Sequence, residues 1–528
     1  MPERLRLNEE NRKWWTLAAM CFALFMIMLD NTVVNVALPS IQDDLHASLS
    51  SLEWTVNAYT LTFAVLLVTG GRLGDIFGRR RMFLFGVVVF AVSSAAIGLA
   101  PSQHWLVAGR ALQGVGGAFM MPGTLSIISN TFPPHERGRA IGTWAGVSAL
   151  ALALGPAVGG ALTEYVSWRA IFFLNLPVAV GAVIVTLFAA RESRDPTVDH
   201  RVDYPGIAAL SVGLTALVLA LVEGNRWGWG SPAIVALLAT AAVGIALFVF
   251  VERRGRAPMV QFEYFRSRSF VGANAVAFIV SFAMLAMFFF MALYMQNFLH
   301  YSPLEAGIRF LPSTAVIIVA APIAGRLADR IGPRPLIVTG LALAALALFL
   351  QSRVTVHSGY ADLLPAFVIM GLGMGLTMSP MSTAAMNSVS ADKAGAASGI
   401  LSMFRMVGGT FGVAGIGALF QSLARTRIDE RLSGLHLPSG TRSALVDNLG
   451  SGAGSKLVDG MDPQRGAHIG AAMRDAFIHA LSGALTLACV AAAVGAVLAL
   501  VLIEPKRAHA RRLDPARQPE AVEPVGVS

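Results

Sequence analysis

The chain has 528 residues, of which 55% are hydrophobic and only 13% charged, about half the charge of an ordinary soluble protein. A mean hydropathy of +0.64 excludes a water-soluble fold, because so few charges cannot cover so much apolar surface. The formal charge of +9 does not point to nucleic acid, since the basic residues sit in short links between apolar blocks rather than in one patch.

A membrane-spanning helix needs roughly 20 mostly apolar residues. In chain order such spans are predicted at 14–38, 54–74, 82–100, 104–128, 139–161, 168–190, 205–222, 231–250, 270–293, 306–325, 334–351, 363–387, 397–420 and 476–503, fourteen in all. The predicted fold class is an all-α polytopic membrane protein. With the N-terminus placed in the cytoplasm, the links on that side carry Arg79, Arg80, Arg81, Arg137, Arg139, Arg253, Arg254, Arg330 and Arg334 among others. The opposite short links offer only Arg169, Arg226, Arg309 and Arg353. That asymmetry predicts cytoplasmic termini in the inner (plasma) membrane. The charged N-terminal stretch enters the first apolar block with no small-residue cleavage site, so the first helix is expected to be retained. Residues 423–475 are read as a long outer loop and 505–528 as a cytoplasmic tail with no assigned structure. Cys21 and Cys489 lie in separate apolar blocks and support neither a disulfide nor a metal site.

The decapeptide Gly71-Arg72-Leu73-Gly74-Asp75-Ile76-Phe77-Gly78-Arg79-Arg80 returns 254 positions later as Gly325-Arg326-Leu327-Ala328-Asp329-Arg330-Ile331-Gly332-Pro333-Arg334. Glycines 114, 116 and 117 are echoed at 371, 373 and 375. Such an internal repeat predicts two halves around a central path: six-helix bundles at 14–190 and 270–503, with 205–250 as an intervening pair. Asp75, Arg79, Arg80, Asp329 and Arg330, at the inner helix ends, are read as a gating latch whose aspartates accept from a neighbouring helix terminus or pair with a basic side chain.

Charges inside hydrocarbon are costly and mark functional positions. Asp30 lies roughly 12 Å from the outer end of the first span and Arg110 roughly 9 Å from the outer end of the fourth. One layer therefore holds two opposite charges. Burial favours the neutral form of a carboxylate and a guanidinium favours the anion, the balance a reversible proton carrier needs. A permanent ion pair is the alternative. Asn35, one turn beyond Asp30, is placed in a substrate cavity with Gln113, Glu223 and Arg405. So are Met284, Met287, Phe288, Met291 and Tyr294, a soft apolar surface on the ninth span. Gly146, Gly155, Pro156, Gly159 and Gly160 give the fifth span a face for close, bendable contact between halves.

Leu29-Asp30-Asn31-Thr32-Val33-Val34-Asn35-Val36-Ala37-Leu38-Pro39 resembles the first-helix motif of the fourteen-span drug:proton antiporters of the major facilitator superfamily, the type related to quaternary-ammonium exporters. The stretch from Gly71 to Arg80 resembles the superfamily's loop signature, Arg110 with Gln113 and Gly114 its fourth-helix motif, and Gly146 to Gly160 its antiporter signature. Trp168-Arg169, Phe172 and Asn175-Leu176-Pro177 also fit. The resemblance implies proton-coupled export of hydrophobic or cationic drugs or secondary metabolites by alternating access. Asp30 then takes the proton role, Arg110 the coupling role and Asp75 the gating role; Pro333 departs from the signature in the second half. An exporter of a cell-envelope lipid, sugar or amino acid is the nearest alternative, and a non-transporting receptor or scaffold the more distant one. The implied partners are protons, hydrophobic or cationic small molecules and membrane lipid, without nucleic acid, and the chain is expected to act as a monomer. No P-loop, HExxH or Cys/His cluster appears in the sequence, so neither an enzyme, a cofactor nor a metal is expected.

Overall fold

The computed structural model describes residues 9–46, 49–194, 202–255, 260, 262–390, 393–433, 445 and 463–505. Its helices are α1 (Glu9–Leu45), α2 (Leu49–Phe77), α3 (Arg79–Gly98), α4 (Gln103–Thr131), α5 (Pro134–Tyr165), α6 (Trp168–Phe173), α7 (Asn175–Ala189), α8 (Tyr204–Trp227) and α9 (Pro232–Arg254). They continue as α10 (Arg268–Asn297), α11 (Pro303–Arg309), α12 (Leu311–Ile331), α13 (Pro333–Ser352), α14 (Tyr360–Asn387), α15 (Ala394–Arg431) and α16 (Pro463–Leu502). Among the described residues fourteen spans are long and apolar enough to cross a membrane, with α6 and α7 forming one of them.

Two predicted spans are interrupted. The sixth breaks at Leu174, because Pro177 has no N–H to donate to the carbonyl of Phe173. The tenth breaks at Phe310, where Pro312 likewise leaves the Ile308 carbonyl without its helical donor. The predicted outer loop 423–475 is shorter than expected: α15 continues to Arg431 and α16 begins at Pro463. Arg427 and Arg431 of α15 both bind Asp475 of α16, at 2.7 and 2.8 Å, which explains why both helices extend into the region. Positions 434–444 and 446–462 of that loop, and the predicted tail beyond Pro505, lie outside the described residues.

In the first six spans α1 packs on α5, α7 and α4, and α4 on α2 and α3; in the last six α10 packs on α15, α16 and α14, and α13 on α14 and α16. Residues at nearly the same sequence offset (254 for Gly86 and Gly340, 257 for Gly116 and Gly373) occupy matching places. A Cβ on Gly86 would lie 2.7 Å from the Gly116 carbonyl oxygen, and a Cβ on Gly340 would lie 2.6 Å from that of Gly373. Gly78 and Gly332, 254 positions apart, both cap the following helix with positive φ (111° and 93°), a backbone that L side chains rarely adopt. The echo in sequence is thus an echo in backbone shape. Between the two groups α5 runs against α12 and α2 against α15, while the α8–α9 hairpin rests on α2 and α15.

Candidate functional site

Asp30 and Arg110 meet. The Arg110 guanidinium donates to Asp30 Oδ2 at 2.5 Å through Nη1, and its Nε donates to the Thr55 carbonyl at 3.0 Å. Asp30 Oδ1 accepts from Gln113 Nε2 and Asn175 Nδ2, each at 3.0 Å. Asn175 also donates to Ser94 Oγ at 2.9 Å, and Ser94 donates to the Phe172 carbonyl at 2.8 Å. Asp30 and Gln113 are fully buried, and Arg110 and Asn175 nearly so. The Tyr59 ring covers the guanidinium with 4.4 Å from its centroid to Cζ, adding a cation–π contact. Six helices (α1, α2, α3, α4, α6 and α7) therefore supply one closed polar network in an apolar interior. Truncating one partner of such a pair typically costs about 3–5 kcal/mol, because the other charge stays buried alone.

A second pair of contacts closes one end of the molecule. Asp75, fully buried at the end of α2, accepts from the Gly395 N–H at 3.0 Å and the Ala396 N–H at 2.7 Å, in the first turn of α15. Those N–H groups have no partner within their own helix. Arg79 completes the set with 3.0 and 2.7 Å bonds to Asp75 Oδ1. The repeat does the same on the other side of the seam. Asp329, at the end of α12, accepts from the Gly138 and Arg139 N–H groups of α5 at 3.0 and 3.1 Å. Backbones touch at both seams: a Cβ on Gly395 would lie 2.5 Å from the Gly71 carbonyl oxygen, and one on Gly325 would collide with the carbonyl of Gly138. Two aspartates 254 residues apart thus tie each half to the start of a helix in the other.

A model of the Major Facilitator Superfamily matches residues 20–413. The chain belongs to this superfamily. It is 36% identical over 491 residues to the tetracenomycin C resistance and export protein of Streptomyces glaucescens, covering 93% of this chain and 91% of that one. The multidrug resistance protein Stp of Mycobacterium tuberculosis is 38% identical over 418 residues, with 79% and 78% covered. Among solved structures the proton:xylose symporter XylE superposes with a TM-score of 0.61 at 13% identity, covering 94% and 97% of the two chains, a likeness of fold. The superfamily is one of transporters, not enzymes.

Other residues expected at the site fall elsewhere in this superfamily fold. Gln113 serves the Asp30 network rather than an open cavity. Met287, Met291 and Tyr294 are fully buried, and Tyr294 donates to the Thr355 and Ser358 carbonyls at 2.9 Å each, so they are core rather than ligand surface. The aromatic and methionine run circles α10, and Met284 and Phe288 keep part of their surface exposed. Glu223 is buried on α8 with Arg226 3.7 Å away, on a helix packed against α9, α2 and α15. Arg80 does not cross the seam: its N–H donates to Glu192 and its Nη1 to the Ala190 carbonyl, both in the same half. Arg330 is exposed at the end of α12. The fifth-span glycines divide between two partners. Gly142 and Gly146 face Ala321, Pro322 and Ile318 of α12, whereas Gly155 and Gly159 seat α5 on Thr32 and Val33 of α1. Gly155 and Gly159 thus join helices within one half, contrary to the expectation of a contact between halves, because they lie at the other end of α5. Gly160 is half-buried on the same helix, and the side chains of Asn35 and Pro156 lie outside the described residues. Asn175, Ser94 and Tyr59 escaped sequence reasoning. Asn175 stood inside a quoted motif, but nothing local in the sequence aims it at Asp30.

Proposed function

We propose that the chain exports hydrophobic small molecules, drugs or secondary metabolites, by alternating access driven by protons entering the cell. The observation that carries this reading is the closed network around Asp30, an ionisable carboxylate held by Arg110, Gln113 and Asn175 where no water reaches it. Protonation of Asp30 removes the charge that Arg110 answers, so the network loosens and the helices holding it are released to move. The two seams supply the bistable element: Asp75 and Asp329 hold one end shut, and their release opens it. The sealed end is assigned to the cytoplasm by the charge asymmetry, which makes this conformation the outward-facing one and both termini cytoplasmic in the plasma membrane. Bundles 14–190 and 270–503 act as the rocking halves of a monomer, with 205–250 riding outside them. Relatives named for antibiotic resistance and export support drug export over transport of an envelope component. Purified protein in liposomes with an imposed pH gradient tests the proposal: gradient-dependent movement of amphipathic dyes is expected, and no flux of any dye would overturn it.

A further inference from the structure

One charge in the interior is unspent. Arg405 sits eleven residues into α15, roughly 16 Å from its start, and it has no hydrogen bond or ion pair among the described residues. Ser402, three residues earlier and so on the same helix face, is buried with its Oγ unpartnered. The neighbouring hydroxyls of α15 behave differently: Ser398 donates to the Pro122 and Gly395 carbonyls and Thr410 to that of Met406. A guanidinium and a hydroxyl, both donors without acceptors, therefore stand one turn apart.

Their face is an interior one. At helical spacing residues 398, 402, 405 and 412 form one stripe. It starts at Ser398 against α4 and ends at Gly412, where a Cβ would collide with the Phe282 carbonyl of α10. Along α15 every residue from Ala394 to Ser402 is buried, whereas Met403 to Val407 are partly exposed. Arg405 thus stands between two and three turns beyond the seam contacts at Gly395 and Ala396, where burial along α15 becomes partial. Internal symmetry does not call for it. The corresponding position on α5, by the offset relating Gly155 to Gly412, is Ser148.

The two carboxylates expected at the site are already taken. Asp30 is filled by three donors and Glu223 is buried beside Arg226. Neither of these two offers a cationic substrate an open counter-charge, while an anion finds Arg405. We propose that Arg405, with Ser402, receives the negatively charged group of the transported molecule, so that the preferred substrates are amphipathic organic anions (carboxylates, sulfonates or phenolates) rather than cations. This inference rests on the export reading and narrows it. The stem of Arg405 and the partly exposed Met403, Phe404, Met406 and Val407 offer apolar contact to the rest of such a molecule.

The test uses the full chain in everted membrane vesicles energised to carry a pH gradient, with three dyes. Anilinonaphthalene sulfonate and phenylnaphthylamine share one ring system and differ by the sulfonate; ethidium is the cation. The wild type should transport the sulfonate. Arg405→Gln should lower that transport roughly tenfold to a hundredfold, as loss of charge-assisted bonds implies, and lower phenylnaphthylamine transport far less, by no more than the shortened stem implies. Arg405→Lys should keep part of the sulfonate activity. Ser402→Ala removes only a hydroxyl and should lower sulfonate transport severalfold, which keeps the test readable if Arg405→Gln fails to fold. Unchanged sulfonate transport in Arg405→Gln overturns the proposal. So does a wild type that carries phenylnaphthylamine or ethidium but not the sulfonate, and so does a folding-defective Arg405→Gln accompanied by a fully active Ser402→Ala. A wild type that moves none of the three dyes overturns the export reading itself.

Discussion

Replacing Asp75 with asparagine weakens one seam while keeping its size. The carboxylate now accepts with both oxygens, Oδ1 from Gly395 and Arg79, and Oδ2 from Ala396. Asparagine has one accepting oxygen, so at least one of the two bonds across the seam is lost and the survivor is no longer assisted by charge. Bonds to a charged group contribute about 1.5–3 kcal/mol each. Losing one, and weakening the other, shifts the closed-to-open ratio by about 2–3 kcal/mol, roughly 30- to 150-fold. Spin labels at the exposed positions Arg81 and Glu263 straddle this seam, since Glu263 lies 3.9 Å from Lys393 just before α15. In a background with Cys21 and Cys489 replaced by alanine, pulsed dipolar spectroscopy should show an added population at longer distance in Asp75→Asn. The double variant Asp75→Asn/Asp329→Asn should enlarge it. Distance distributions identical to the parent in both variants would refute the latch.

The divided glycines of α5 predict two different failures. Gly142→Leu places bulk against the Ala321 carbonyl and Pro322 across the seam, and should reduce transport at near-normal yield. Gly155→Leu wedges α5 from Thr32 within one half, and should lower the melting temperature of detergent-purified protein, as overpacking by about 1–3 kcal/mol implies. Normal transport by Gly142→Leu would count against a moving seam there. Asn175→Ala removes one of three donors to Asp30 and the link to Ser94; proton-driven flux should fall roughly tenfold, by the weight of one bond to a charged group, with substrate-gradient flux retained. At the corner of α1 and α6, hydrogen bonds from Arg169 and Trp168 hold Asp44 below its ordinary value. That stabilisation is complete above about pH 4 and is lost as pH falls through the lowered value. The pair is largely solvated, so Asp44→Asn should shift the neutral-pH melting temperature by no more than about 2 °C while flattening the acid-side slope.

Span number, helix class and the duplicated loop were legible because each is a local property: twenty apolar residues in a row, or ten residues recurring at one offset. Depth along a helix is also arithmetic, so the sequence alone puts Asp30 and Arg110 in one layer. What could not be read is rotation. Gln113 and Asn175 point at Asp30, and Met287 and Tyr294 are buried in the core, through packing angles that no periodicity encodes when a helix is apolar on every side. The breaks at Leu174 and Phe310 were readable in principle from Pro177 and Pro312, yet continuous hydropathy concealed them. The partners of Asp75 and Asp329 lie about 320 and 190 residues away in sequence, beyond any local signal.

Asp30→Asn in proteoliposomes addresses the central claim most directly. Asparagine keeps the shape and part of the hydrogen bonding of Asp30 but cannot take up and release a proton at any physiological pH. Purified wild-type and variant protein are loaded with a transported dye, and flux is followed with an imposed pH difference and, separately, down a dye gradient alone. The account predicts a folded variant that still lets dye run down its own gradient but does not accumulate dye when the pH difference is applied. Accumulation driven by the pH difference at the wild-type level would contradict it and leave Asp30 as one half of a structural ion pair.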